Sequence, residues 1–333
     1  MAGGIMPLVV VTGGTAGVGR ATALCFARHG YNVAVIARSE AGLINTVKEL
    51  EATGIKAMSV SADVANCDQM KDAADQIVSA MGPVSVWINA AMCTVIAPFT
   101  EITPSEYQRV TDVTYHGVIN GTREALRLMV PQHNGHIIQT GSALACRSVP
   151  LQSAYCGAKA AVRGFTDALR CELIHSRTNI RLTMVHLPAV NTPQFQWARN
   201  KLPRAPRPVA PVYQPETVAE AIYKATFTAP RELWVGQATI QSIVGNVFFP
   251  HWLDKMMAKK AWDGQMEPAV HPSQGADNLF LPVEGYHRNR GAFSSEAQDK
   301  VITVDPARAG KVVLTTLGII SCLLFWRNRN RKH

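Results

Sequence analysis

Apolar β-branched runs alternate with amphipathic helical patterns over the first two-thirds of the chain. The pattern predicts strands at 7–12, 32–37, 56–61, 84–89, 135–141, 180–186 and 232–235. Between them it predicts helices at 17–29, 40–53, 67–81, 104–130, 152–176 and 215–229. Such alternation predicts an α/β fold, a parallel doubly wound sheet with ligands at the carboxyl ends of the strands. Residues 238–262 are apolar at helical spacing, with Phe248, Phe249, Trp252, Met256, Met257 and Trp262. They read as core or a dimer contact, with the lining of a site as the alternative. Residues 263–309 are polar, with Pro, Gly and Ser, and read as an extended linker with a brief strand within 299–305. The chain thus divides into a sheet domain (1–240), an apolar helical extension (241–262), a polar linker (263–310) and a C-terminal segment (311–333).

The C-terminal segment changes the picture most. Val312 to Trp326 is a run of fifteen residues without a charge. As a helix it would span about 22 Å, against a bilayer core of roughly 30 Å. Lys311 and Arg327 can snorkel, Trp326 suits an interface, and the basic end Arg327 to His333 suits anionic headgroups. The expectation is a short membrane anchor, with a packed or partner-binding helix as the alternative.

Net charge is +9, but five of the 33 basic residues follow Gly310 with no acid among them. Residues 1–310 carry 28 basic and 24 acidic residues, so the basic balance belongs largely to the tail. No nucleic-acid motif accompanies it, and no nucleic-acid partner is expected. The seven cysteines are scattered without metal or redox spacing, and no metal site is expected. The N-terminal apolar run is short and lacks a basic leader, so the chain reads as reduced and cytosol-facing.

Two local patterns carry chemistry. The first strand runs into Thr12-Gly13-Gly14-Thr15-Ala16-Gly17-Val18-Gly19 and then a helix. A strand, a glycine-rich turn and a helix N-terminus form a phosphate cradle, and the absence of a following Gly-Lys-Ser/Thr excludes a P-loop. Ser142 is followed thirteen positions later by Tyr155, with Lys159 one helical turn beyond it. Lysine and tyrosine then share a helix face. The positive charge is expected to lower the tyrosine pKa, so that the phenol can exchange a proton with a carbonyl or alcohol oxygen held by the serine.

Together these features resemble the short-chain dehydrogenase/reductase family in its compact form, across residues 6 to 240. The glycine pattern matches at Thr12 to Gly19, and Asp63-Val64 matches the family's adenine-side aspartate. Asn89-Ala90-Ala91 resembles its Asn-Ala-Gly strand end, and Pro188-Ala189-Val190-Asn191-Thr192-Pro193 its segment after the sixth strand. The resemblance implies a Rossmann-like catalytic domain, with Ser142, Tyr155 and Lys159 as catalytic residues. It implies cofactor contacts at Thr12, Gly13, Thr15, Gly17, Val18, Gly19, Asp63, Val64, Asn89, Ala90, Ala91, Pro188, Val190 and Thr192, with Tyr155 and Lys159 also reaching the cofactor. A homodimer or homotetramer is implied in the same way.

The second strand ends in Arg38-Ser39, with no carboxylate before Glu40. An arginine there suits a 2′-phosphate and an acid a 2′-hydroxyl, so NADP(H) is expected rather than NAD(H). Two positions depart from the family pattern. Thr114 stands where the family has an asparagine that steadies a proton-relay water, and is expected to keep a relay role. Ala189 stands in place of a glycine. The expected activity is interconversion of a carbonyl and an alcohol on a lipophilic substrate, by a membrane-associated enzyme whose catalytic domain faces the cytoplasm. The alternatives are a membrane-tethered NADP-binding protein without activity, or an epimerase or dehydratase on the same fold.

Residues 188–214 carry Arg199, Lys201, Arg204 and Arg207 and no acid. The resemblance implies that this segment is a substrate lid, and its cations are expected to be solvated charges or to attract an anionic substrate or a lipid surface.

Overall fold

Strand β1 (Leu8–Thr12) is buried along its whole length because both of its neighbours are strands and both of its faces are covered. The computed structural model describes residues 6–268 and 276–309. The other main strands are β2 (Asn32–Ala37), β3 (Ala57–Ser61), β4 (Val84–Asn89), β5 (Gly135–Ser142), β6 (Ile180–Leu187), β7 (Glu232–Val235) and β8 (Thr303–Val304). They form one eight-stranded sheet in the order β8-β7-β6-β5-β4-β1-β2-β3. All neighbours are parallel except β7 and β8, where Trp234 faces Val304 across an antiparallel pair. The strand order reverses between β1 and β4, which opens a crevice at their carboxyl ends. Two buried apolar clusters cover the two faces, one around Trp87 and Met70, the other around Phe26 and Leu50.

The longer helices are α1 (Gly17–Arg28), α2 (Glu40–Glu51), α3 (Cys67–Met81), α4 (Pro104–Thr111), α5 (Gly117–Met129), α6 (Ser153–His175), α7 (Pro215–Thr228), α8 (Gln237–Phe248) and α9 (Pro250–Met256). Helix α4 starts on a capping box: Thr103 Oγ1 accepts from the Glu106 N–H, and Glu106 accepts from the Thr103 N–H at 2.8 Å. The single helix expected over 104–130 is interrupted by a π-helical turn at Asp112–His116. There the Thr114 hydroxyl donates to the Cys93 carbonyl at 3.0 Å and accepts from the Cys93 N–H at 3.2 Å, tying the turn to the strand exit.

The apolar stretch after β7 is not core. In α8 and α9 only Thr239, Ile243 and Leu253 are buried, while Phe248, Phe249 and Trp252 are more than 60% exposed. Two short helices separated by Phe249 can each bury only one narrow stripe, so the remaining aromatics face outward. The polar residues 276–309 run mostly as bends and turns and lie against the domain. Leu279 is fully buried and Phe293 nearly so. Strand β8 falls inside the expected 299–305 stretch.

The expected anchor, Val312 to Trp326, lies outside the described residues. Among the described residues, no helix is long and apolar enough to cross a membrane.

Candidate active site

The phosphate cradle begins where β1 ends. Gly13 has φ +70°, and a Cβ there would fall 2.7 Å from the Ala91 Cα. A Cβ at Gly19 would fall 2.2 Å from the Gly13 carbonyl oxygen, so α1 can approach the turn only with glycine. Helix α1 has no acid in its first turn and no side-chain cap, and its positive end faces the crevice.

One cavity of about 610 Å³ runs along the crevice. It is lined by Gly13, Thr15, Gly17, Val18 and Gly19 from the cradle, and by Arg38 and Ser39 from the end of β2. Asp63, Val64, Ala90 and Ala91 line it from the ends of β3 and β4, and Ser142, Tyr155, Lys159, Pro188, Val190 and Thr192 from the far side. These residues, scattered over 180 positions, therefore share one space.

Three expected site residues do not line it. Thr12 Oγ1 accepts from the Ala90 and Ala91 N–H groups at 3.1 and 3.3 Å. Asn89 accepts from Trp87 Nε1 at 3.0 Å and donates to Thr122 and Gln139. Both hold the cavity wall from behind. Thr114 is fully buried, and its hydroxyl donates to the Cys93 carbonyl and accepts from the Cys93 N–H.

Ser142 ends β5, and its Oγ accepts from the Leu144 N–H at 3.1 Å. Tyr155 and Lys159 stand one turn apart on α6, and the Lys159 Nζ lies 5.7 Å from the tyrosine ring centre. Nζ donates to the Thr140 carbonyl at 2.7 Å. The electrostatics differ from the sequence expectation. Burial pushes the Tyr155 hydroxyl above its ordinary range, and a hydrogen bond with Ser142 pulls it part of the way back. Burial also pushes Lys159 down to about 8. For both groups desolvation by burial is the largest cause.

The cations of the 188–214 segment are paired with acids from elsewhere. Glu106 receives Arg199 at 3.1 Å and Lys201 at 2.7 Å. Arg199 also reaches Asp277 at 2.9 Å, Arg204 reaches Asp263 at 3.5 Å, and Arg207 pairs with Glu296. Arg207 also lines the cavity. Although burial opposes it, the contacts from Lys201, Thr103 and Arg199 take Glu106 down to about 2.

Several residues near the cavity escaped the sequence reading. Arg20 is buried, pairs with Glu49 at 2.6 Å and donates to the His287 carbonyl at 2.6 Å. Arg109 pairs with Asp63 and donates to the Leu279 carbonyl at 3.0 Å. Asn278, Pro282, Val283 and His287 line the cavity from the polar stretch 276–309. The only signal in the sequence was the apolar triplet Leu279-Phe280-Leu281 inside a polar stretch. Away from the cavity, Cys25, His29 and Glu220 converge between α1 and α7, a grouping that cysteine spacing had not foreseen. Burial and Glu220 push the Cys25 thiol up to about 12, which keeps it protonated.

Residues 7–202 match the family model described as short chain dehydrogenase. The chain belongs to that family. Among short-chain dehydrogenase relatives, an uncharacterized oxidoreductase of Bacillus subtilis (strain 168) is 30% identical over 312 residues, covering 92% of this chain and 87% of its own. A 3-oxoacyl-acyl-carrier-protein reductase of Thermotoga maritima is 30% identical over 220 residues, 64% of this chain and 87% of that one. An actinorhodin polyketide ketoreductase variant solved with NADPH superposes with a TM-score of 0.55 at 30% identity, over 57% of this chain and 73% of that one. The chain is thus an oxidoreductase of the short-chain dehydrogenase type.

Proposed function

We propose that this short-chain dehydrogenase interconverts a carbonyl and an alcohol on a lipophilic substrate, with NADP(H) as its cofactor. The observation that carries the reading is the meeting of Ser142, Tyr155 and Lys159 at one end of a cavity whose other end is a phosphate cradle. The dinucleotide, when bound, supplies or accepts the hydride.

The chain's own residues manage the oxygen. Ser142 holds the carbonyl oxygen. Tyr155 donates the proton to it as general acid in reduction and takes it back in oxidation. Lys159, protonated below about pH 8, places positive charge beside any tyrosinate that forms. The cradle at Gly13 to Gly19 fits a pyrophosphate, and Pro188, Val190 and Thr192 fit the nicotinamide end. Thr12 and Asn89 support that site from behind.

The NADP(H) reading rests on Arg38. Its guanidinium has five N–H donors, enough to hold neighbouring carbonyls and still meet a 2′-phosphate. The lipophilic reading rests on Leu144, Phe195, Val209, Met256 and Met257 lining the catalytic end of the cavity. Residues 1–240 serve as the catalytic unit in this account. The uncharged run at 312–326 tethers that unit to a membrane, with the catalytic domain on the cytoplasmic side, and the chain works as a homodimer or homotetramer.

A turnover screen of lipophilic ketones, aldehydes and alcohols with NADPH and NADH tests the proposal. It predicts cofactor oxidation by at least one lipophilic carbonyl, faster with NADPH, with the alcohol recovered as product. Preference for NADH, or turnover only of small polar carbonyls, contradicts it.

A further inference from the structure

Helices α8 and α9 have two unlike faces. On the inside, Ala238 and Ser242 of α8 and Met256 of α9 line the cavity, with Met257 just beyond them. On the outside, Val244, Val247 and Phe248 recur at i, i+3 and i+4 and so share one face of α8. Val247 is 71% exposed, and Phe248, Phe249 and Trp252 are each more than 60% exposed. The rings of Phe248 and Phe249 lie 6.4 Å apart, and Trp252 follows in the first turn of α9. Large apolar side chains exposed singly are ordinary on a protein surface, whereas a gathered patch of them marks a contact.

Charge decides what this face contacts. Lys255 on α9 and Lys259 and Lys260 in the π-helical turn Met257–Ala261 border the patch, and all three are exposed. None of them pairs with an acid among the described residues. The acids nearby are taken: Arg147 holds Asp254 at 2.7 Å, and Arg204 reaches Asp263 at 3.5 Å. A second copy placed face to face would set these lysines against its own. The uncharged run 312–326 lies between Lys311 and a basic end without an acid, so as a cover it too would bring like charge. An anionic bilayer complements both parts of the face. Its interface takes the valines and aromatic rings, and its headgroups meet the lysines.

We propose that α8 and α9 form a docking face for an anionic lipid surface, which places the catalytic end of the cavity beside the bilayer. The helices that line the cavity then carry the lipid contact, and a lipophilic substrate has a short path from the acyl region to Tyr155. The path rests on the lipophilic reading above; the contact rests on the exposed side chains themselves.

Tryptophan emission of the full chain on phosphatidylcholine–phosphatidylserine vesicles, with and without bromine on the acyl chains, tests the contact without reference to turnover. The difference between wild type and Trp252→Phe isolates the share of Trp252 from that of the other tryptophans. Bromine should quench that share by about half or more, because the ring sits at the acyl boundary. Lys255→Glu with Lys259→Glu should lower the quenched fraction at least about threefold, as should vesicles of phosphatidylcholine alone. A Trp252 share that bromine leaves unquenched overturns the proposal, even if the chain sediments with the vesicles, and so does quenching that ignores the two lysines. A smaller oligomer in Phe249→Ser with Trp252→Ser than in wild type, by sedimentation without lipid, would place a second copy on the face and overturn it as well. The expected quenching in a chain that turns over only small polar carbonyls would contradict the lipophilic reading and leave the docking face standing.

Discussion

Arg38 donates from Nη1 to the carbonyl of Phe280 at 3.0 Å, joining the end of β2 to a segment 242 positions further along the chain. The residue expected to choose the cofactor is therefore also the latch of that segment. Arg38→Ala should weaken NADPH binding at least tenfold more than NADH binding, because a charge-assisted phosphate contact is lost only for the former. It should also make residues 278–291 more susceptible to limited proteolysis. Calorimetry with both cofactors and a digestion time course read the two effects separately. Equal weakening of both cofactors would leave Arg38 as a latch only.

Lys159 is nearly fully buried, and its ammonium is pushed down to about 8 from an ordinary 10.5. Between those values the unfolded chain binds a proton that the folded chain does not. The lysine therefore destabilises the fold at pH 7, and that cost disappears as pH rises from about 8 towards 10.5. The cost approaches about 3 kcal/mol, since each tenfold change in proton affinity is worth roughly 1.4 kcal/mol. Lys159→Met should be more stable than wild type at pH 7, and the gap should close by pH ~10.5. Urea unfolding of both proteins across that range measures it. A gap that does not change with pH would show that the ammonium is not desolvated.

Glu106 works in the opposite direction. Its carboxyl is held at about 2, below an ordinary 4.5, by Lys201, Thr103 and Arg199 in spite of burial. A depressed acid contributes stability that is complete above its unfolded value and lost as pH falls towards its folded one. The contribution is on the order of 2 kcal/mol. Glu106→Gln should lower the melting temperature at pH 7, and the difference should shrink steadily below pH ~4.5. Melting curves of the pair from neutral to acid pH check this.

The sheet and the order of its elements were legible because β1 to β7 carry apolar runs and the intervening helices carry their own period. Most of the cavity was legible for a related reason: its residues sit at strand ends, where short motifs such as Thr12 to Gly19 have few geometries open to them. The break at Asp112–His116 was not legible, because it depends on Thr114 meeting Cys93 across the fold. Nor was the pairing of Arg199 and Lys201 with Glu106, which lies more than 90 positions away. The segment 278–291 was hidden by composition. Its fastening uses backbone carbonyls, which leave no trace in side-chain patterns, and only Leu279 supplies a deeply buried apolar anchor. Helical spacing reveals Lys159 beside Tyr155 but not the burial that the two share.

The central claim is that Tyr155 moves the proton while the hydride passes, and Tyr155→Phe tests it most directly. The substitution removes the hydroxyl and keeps the ring. With a carbonyl substrate turned over by the wild type, single-turnover oxidation of bound NADPH should slow by about a hundredfold or more, the scale of general acid catalysis. NADPH affinity measured by calorimetry should stay within about threefold of wild type, because the lost hydroxyl bonds Ser142 rather than the cradle. Near-normal turnover by Tyr155→Phe would contradict the account.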